Sequence, residues 1–136
     1  MISLLFVCIE NANRSQMAHA FATLHGGGRV EAFSAGSRPA GMINPKAVAA
    51  MAELGYDLRT HASKSLDEVR DQSFDYVVTM GCGDACPFIV ARHRRDWQIP
   101  DPKHLAPAEF RQVRDLVERQ VLALLKEAGV ISVVTN

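Results

Sequence analysis

An apolar run of strand length, Ile2-Ser3-Leu4-Leu5-Phe6-Val7, hands over through Cys8-Ile9-Glu10-Asn11-Ala12-Asn13-Arg14-Ser15 to a segment where Met17, Phe21 and Leu24 recur at helical spacing. That order commits the chain to a buried strand, a tight loop and a helix. Such a turn aims backbone N–H groups and a helix N-terminus at one small volume, which makes an anion site. A cysteine at the mouth of that site is favoured as the thiolate, because the thiolate is itself the anion being stabilised. Arg14 adds a planar fork of donors matched to a tetrahedral oxyanion. The Ser15 hydroxyl can hydrogen-bond the thiolate or the departing thiol. A plainer reading makes Cys8 a small apolar residue at a strand end and Arg14 a surface charge. The strand before, the helix after and Ser15 favour the chemical reading.

At 136 residues the chain suits one domain with a proper core, here expected over residues 1–129 with an apolar tail at 130–136. Fifteen basic residues balance fifteen acidic ones, so no basic field argues for nucleic acid and no acidic tail for a charged partner. The N-terminal apolar run is too short, and lacks the basic flank, for a signal peptide or a membrane span. A cytoplasmic protein is expected. There, three cysteines suit reactive thiols better than a disulfide framework.

Further elements follow in alternation. Gly26-Gly27-Gly28 stops the first helix, and Arg29–Ser34 reads as a second strand ended by Ala35-Gly36. Asn44-Pro45 starts a helix that runs to Gly55, with Val48, Met51 and Ala52 as its apolar face. Ser65–Val69 has capping-box spacing for a short helix. Tyr76–Met80 is expected as a third strand and Trp97–Ile99 as a short fourth. Pro107 opens the longest helix, carrying Phe110, Val113, Val117, Val121 and Leu124 on one side and closing at Gly129. Val130-Ile131-Ser132-Val133-Val134 is a tail whose partner the pattern does not name. Alternating strands and helices predict an α/β fold, a four-stranded parallel sheet flanked by helices. Ligands of such sheets bind beyond the carboxyl ends of the strands, where Cys8 falls.

The third strand runs into Gly81-Cys82-Gly83-Asp84-Ala85-Cys86-Pro87, leaving the sheet at the same edge as Cys8. Cys82 and Cys86 can form a local disulfide after loop movement that the glycines permit. Two other readings stand beside it. One is a pair of unreactive turn thiols; the other is a metal site of Cys82, Cys86 and His93, which lacks a fourth ligand and a tight Cys-x2-Cys knuckle. Asp101-Pro102 follows the fourth strand at that edge. A thiolate that displaces an oxygen from a tetrahedral centre needs that oxygen protonated as it leaves. Asp101 is the candidate acid, although an aspartate before proline is also an ordinary turn.

These residues resemble the low-molecular-weight phosphatase fold and, within it, the thioredoxin-coupled arsenate reductases. The resemblance rests on the Cys8–Ser15 loop, Arg14-Ser15-Gln16-Met17-Ala18, Ser34-Ala35-Gly36, Asn44-Pro45-Lys46-Ala47, Val78-Thr79-Met80, Cys82/Cys86-Pro87, Asp101-Pro102 and Phe110–Asp115. It implies that Cys8 attacks arsenate held by the loop amides and Arg14, while Asp101 protonates the leaving hydroxide. Cys82 then attacks Cys8, arsenite departs, and Cys86 moves the disulfide outward for thioredoxin to reduce. Phosphate and sulfate would compete for the loop. Asn11 would hold the loop in shape. No cofactor is called for, and neither nucleic acid nor membrane is an expected partner.

The chain departs from the resemblance in places. Glu10 stands where glycine is frequent, and its side chain is expected to point outward from the oxyanion. The Cys82/Cys86 pair is close-set. Some members hold a structural potassium ion with acidic residues where this chain has His19 and Lys64, so that cation is not carried over and Lys64 is the candidate replacement charge. Three rival functions use parts of the same set. A tyrosine phosphatase would use Cys8, Arg14 and Asp101, but Gln16 replaces the usual proline and Lys103-His104 the usual aromatics. A reductase served by mycothiol or glutathione with a redoxin would leave Cys82 and Cys86 less important. A thiol sensor or metal module would use Cys82, Cys86 and His93.

Overall fold

The computed structural model describes residues 1–81 and 89–132. Strand β1 (Ile2–Cys8) is apolar on both sides: Leu4, Phe6 and Cys8 face one core cluster and Leu5 and Val7 the other. A strand buried on both faces belongs at the centre of a parallel sheet. β1 pairs in parallel with β2 (Val30–Gly36), from Ile2↔Val30 to Cys8↔Gly36. On its other side it pairs with β3 (Ser73–Thr79), from Leu4↔Tyr76 to Val7↔Thr79. β4 (Val90–Asp96) extends the sheet beyond β3, giving the order β2-β1-β3-β4. The chain leaves β1 first to one side and later returns to the other, so a crevice opens at the carboxyl end of β1. Cys8 ends that strand.

Helices α1 (Arg14–Gly26), α2 (Pro45–Ala52) and α3 (Pro107–Glu127) bury Met17, Phe21, Met51, Phe110, Val117 and Leu125 in the larger cluster with Leu4 and Phe6. The Asn44 side chain caps α2 by accepting from Lys46 N–H, with Pro45 at the first helical position, as the sequence predicts. Phe110, Val113, Val117, Val121 and Leu124 form the buried stripe of α3. On the opposite face, Leu5, Val7, Phe74 and Val77 of the sheet cluster with Leu66, Val69 and Ile89, and Phe33 stands edge-on to Phe74. Leu66 lies in the short helix predicted after Ser65, here a 3-10 turn over Leu66–Glu68 closed by the Ser65/Glu68 capping box.

The structure corrects several boundaries. The fourth strand is Val90–Asp96, not Trp97–Ile99. Its sequence, Val-Ala-Arg-His-Arg-Arg-Asp, has no apolar alternation because it is an exposed edge strand paired on one side. Trp97 and Ile99 are buried beyond it, with Trp97 tilted against Phe6. β2 and β3 run to Gly36 and from Ser73, longer than the pattern suggests. Leu24 is exposed on α1, whereas Met17 and Phe21 carry its packing, and Ala52 is exposed on α2. Val130 is buried and its carbonyl accepts from Arg29 Nη1 at 2.6 Å, which ties the start of the tail to the turn before β2. Residues 133–136 lie outside the described residues. Among the described residues no helix is long and apolar enough to cross a membrane.

Candidate active site

The loop between β1 and α1 is held from outside. The carbonyls of Cys8, Ile9, Glu10 and Ala12 accept from the N–H groups of Ser37, Arg38, Ala40 and Asn44. A trans peptide sets its N–H opposite its C=O. Tying the carbonyls to that strap therefore turns the loop's amides toward the other side. There a cavity of about 60 Å3 is lined by Cys8, Ile9, Glu10, Ala12, Asn13, Arg14 and Asp101. None of these is aromatic. Gly36 admits the loop: a Cβ there would stand 2.6 Å from the Ile9 carbonyl and 3.0 Å from Asn11 N.

Asn11 carries the tightest bend, with φ of 50°, in the left-handed region that asparagine tolerates. Its fully buried side chain accepts from Lys64 N–H (2.8 Å) and Gln16 Nε2 (2.9 Å), and donates from Nδ2 to Ser15 Oγ (2.7 Å). Ser15 Oγ lies 2.9 Å from Cys8 Sγ. The sulfur is buried, 2 % exposed at residue level, at the floor of the cavity. Asn13 also lines it and keeps a buried side-chain oxygen with no hydrogen-bond partner among the described residues.

Arg14 is buried, with Nη1 donating to the Ile99 carbonyl at 3.0 Å and Nη2 3.9 Å from Asp101 Oδ2. Buried Ile99 thus anchors both the guanidinium and the segment that carries Asp101. Gly81, at φ of 85°, lies against that guanidinium: a Cβ there would meet Arg14 Nη1 at 2.7 Å. Asp101 is half exposed and accepts from Lys103 N–H. At the rim, Lys103 Nζ pairs with the Glu10 carboxylate at 2.7 Å, which raises the lysine's pKa. The Glu10 carboxylate is thereby paired with a cation, in a residue that also lines the cavity.

Behind the loop lies a group that sequence reasoning missed. His61 and His19 stand ring against ring at 4.2 Å, and His19 Nδ1 meets Ser34 Oγ at 3.0 Å. Burial and the Lys64 ammonium push His61 down to about 4. Burial, then His61, then Lys64, push His19 down to about 3. Burial also lowers Lys64, whose Nζ reaches the Ala62 carbonyl at 3.3 Å. Gln16, His19 and Lys64 stood out in the sequence as departures from the resemblance, whereas His61 carried no signal.

The remaining candidates are placed unevenly. Cys82 and Cys86 lie outside the described residues; Gly81, the last described residue before them, is the one against Arg14. His93 sits on β4 with its ring stacked on Tyr76 at 4.7 Å. Among the described residues no cluster of three or more histidine, cysteine or carboxylate side chains is arranged to hold a metal.

A buried thiol at the end of a central parallel strand thus shares a small cavity with a buried arginine and a half-exposed aspartate in an α/β fold. The chain belongs to the low molecular weight phosphotyrosine protein phosphatase family, which it matches over residues 3–130. A glutaredoxin arsenate reductase of Synechocystis is 33% identical over 128 residues, spanning 92% of this chain and 97% of that protein. A solved arsenate reductase in its oxidized state superposes with a TM-score of 0.86 at 30% identity, covering 96% of this chain and 100% of the other. A Corynebacterium glutamicum thioredoxin-dependent arsenate reductase superposes with a TM-score of 0.80 at 32% identity, over 96% of this chain and 63% of that one.

Proposed function

We propose that this chain is an arsenate reductase working through Cys8, with Cys82 and Cys86 as a disulfide relay re-reduced by thioredoxin. The observation that carries the reading is the Cys8 sulfur, 2.9 Å from Ser15 Oγ, in a small cavity lined with it by Arg14 and Asp101. Similarity to arsenate reductases over nearly the whole chain supports it.

The chemistry follows from the geometry. The inward amides and Arg14 hold the arsenate oxygens, and the Cys8 thiolate attacks arsenic. An As–S bond forms, an As–O bond breaks, and Asp101 gives its proton to the departing oxygen, which leaves as water. Cys82 thiolate then attacks Cys8 Sγ. The As–S bonding pair leaves with arsenic, which becomes arsenite, and a Cys8–Cys82 disulfide remains. Cys86 attacks Cys82, frees Cys8 and leaves a Cys82–Cys86 disulfide for an external dithiol. Such a relay needs a reducing compartment, so the cytoplasm is its place.

The test is arsenate-dependent NADPH oxidation with thioredoxin and thioredoxin reductase. Cys86→Ser is expected to stop after one turnover, and Cys8→Ser to show none. Sustained turnover in Cys86→Ser would refute the relay. A second reading of the reductant is favoured by the Synechocystis relative, a glutaredoxin arsenate reductase. Under it, glutathione with glutaredoxin would support turnover where thioredoxin does not. Slow aryl phosphate hydrolysis is expected to survive Cys82→Ser and vanish in Cys8→Ser.

A further inference from the structure

Five side chains and one thiol form a continuous file: Tyr56, His61, Gln16, Asn11, Ser15 and Cys8. The steps are Tyr56 Oη to His61 Nε2 (2.6 Å), His61 Nδ1 to Gln16 Oε1 (2.9 Å), Gln16 Nε2 to Asn11 Oδ1 (2.9 Å), Asn11 Nδ2 to Ser15 Oγ (2.7 Å) and Ser15 Oγ to Cys8 Sγ (2.9 Å).

Backbone groups fix how the two amides of this file are turned. Lys64 N–H can only donate, so the atom it meets on Asn11 is the oxygen, and Nδ2 must face Ser15. The carbonyls of Asn11 and Ala62 can only accept, so the atom they share on Gln16 is the nitrogen, and Oε1 must face His61. His61 Nδ1 therefore carries hydrogen. On the neutral ring Nε2 is then bare and takes the Tyr56 hydroxyl proton. Ser15 Oγ accepts from Asn11, and a Cys8 thiolate carries no hydrogen, so toward the thiolate the Ser15 hydroxyl is the donor. All five donors point the same way, toward Cys8.

We infer that Tyr56, His61 and Gln16 are positioning residues for the nucleophile, a one-way hydrogen-bond file that holds the Ser15 hydroxyl as a donor to the Cys8 thiolate. The physical reason is polarisation. Each bond in a chain of aligned donors strengthens the next, and a donor on sulfur stabilises the anion over the thiol. The outer members are not idle packing. Burial keeps His61 uncharged with Lys64 and His19 as its charged and titratable neighbours, so its ring stays a single-proton link. The inference rests only on Cys8 acting as a thiolate, which arsenate reduction and phosphate ester hydrolysis share.

Two measurements test it, neither using arsenate. Ring 15N shifts of His61 in the full-length protein at neutral pH should report the Nδ1–H tautomer, the minor form of free histidine. Tyr56→Phe should keep the Nδ1–H form, because Gln16 Oε1 still faces that nitrogen. An Nε2–H tautomer in the unsubstituted protein would overturn the file. The second is the pH profile of Cys8 alkylation by iodoacetamide in a Cys82→Ser/Cys86→Ser background. His61→Ala should raise its midpoint by on the order of half a pH unit. His61→Asn, whose Nδ2 replaces the Nδ1 donor, should restore most of that shift. A folded His61→Ala protein with an unmoved midpoint would overturn the inference. So would an Asn variant no better than Ala. Failure of arsenate turnover with these results intact would count against the reductase reading alone.

Discussion

Asn11 is the residue on which the loop's shape depends most. It combines a left-handed backbone with three side-chain hydrogen bonds, two of them fully buried. Asn11→Ala removes those bonds, strands the Lys64 N–H, and places a Cβ residue without local hydrogen bonding at positive φ. We expect a loss of about 3 kcal/mol in urea unfolding, together with loss of oxyanion binding. A near-neutral change would show that the strap from Ser37 to Asn44 suffices to hold the loop. Gly81 tests the guanidinium in the same way. Its added methyl would collide with Arg14 Nη1, so Gly81→Ala should weaken phosphate inhibition by about tenfold, roughly 1.4 kcal/mol. Unchanged inhibition would mean that Arg14 does not grip the anion from this position.

At the scale of elements, the two histidines tie α1 to the segment after the 3-10 turn Leu58–Thr60. Both are held well below the ordinary histidine value of 6.5. The unfolded chain takes up protons below about 6.5 that the folded chain refuses until about 4 for His61 and about 3 for His19. Their contribution to stability is therefore complete above neutral pH and is lost as pH falls through that window. Thermal unfolding should drop by on the order of a few °C between pH 7 and pH 5, and His61→Asn should flatten the slope. A flat profile in the unsubstituted protein would contradict the placement of the pair. α2 and α3 are joined by Arg114, whose buried guanidinium binds the Glu53 and Asp115 carboxylates and the Ala50 carbonyl. Arg114→Ala should cost about 1–3 kcal/mol by leaving the Ala50 carbonyl without that donor and a void between the helices.

What the sequence revealed at this scale has a physical pattern. β1, α3 and the α2 cap were legible because each has a periodic or capping signal that burial enforces. β4 was not. An edge strand with Arg92, His93, Arg94 and Arg95 in succession has no buried face to mark it. The site divides similarly. Cys8, Arg14 and Ser15 announce themselves by spacing along one turn. Lys64 N–H, Ile99 O and His61 reach the site through backbone groups or from distant segments, for which no local pattern exists.

The whole molecule is organised around one crevice. The order β2-β1-β3-β4 brings the ends of β1, β3 and the post-β4 segment to the same edge, so Cys8, Gly81 and Asp101 meet there from three stretches of chain. The proposed reductase would draw on this arrangement: a cavity lined by Cys8, Arg14 and Asp101, with Gly81, the residue before Cys82, against the Arg14 guanidinium. The most direct test is a single turnover of Cys86→Ser with one equivalent of arsenate, followed by peptide mapping of the disulfides. The account predicts one equivalent of arsenite and a Cys8–Cys82 disulfide. Unreduced arsenate with all thiols free, in a protein that still hydrolyses aryl phosphate, would contradict it.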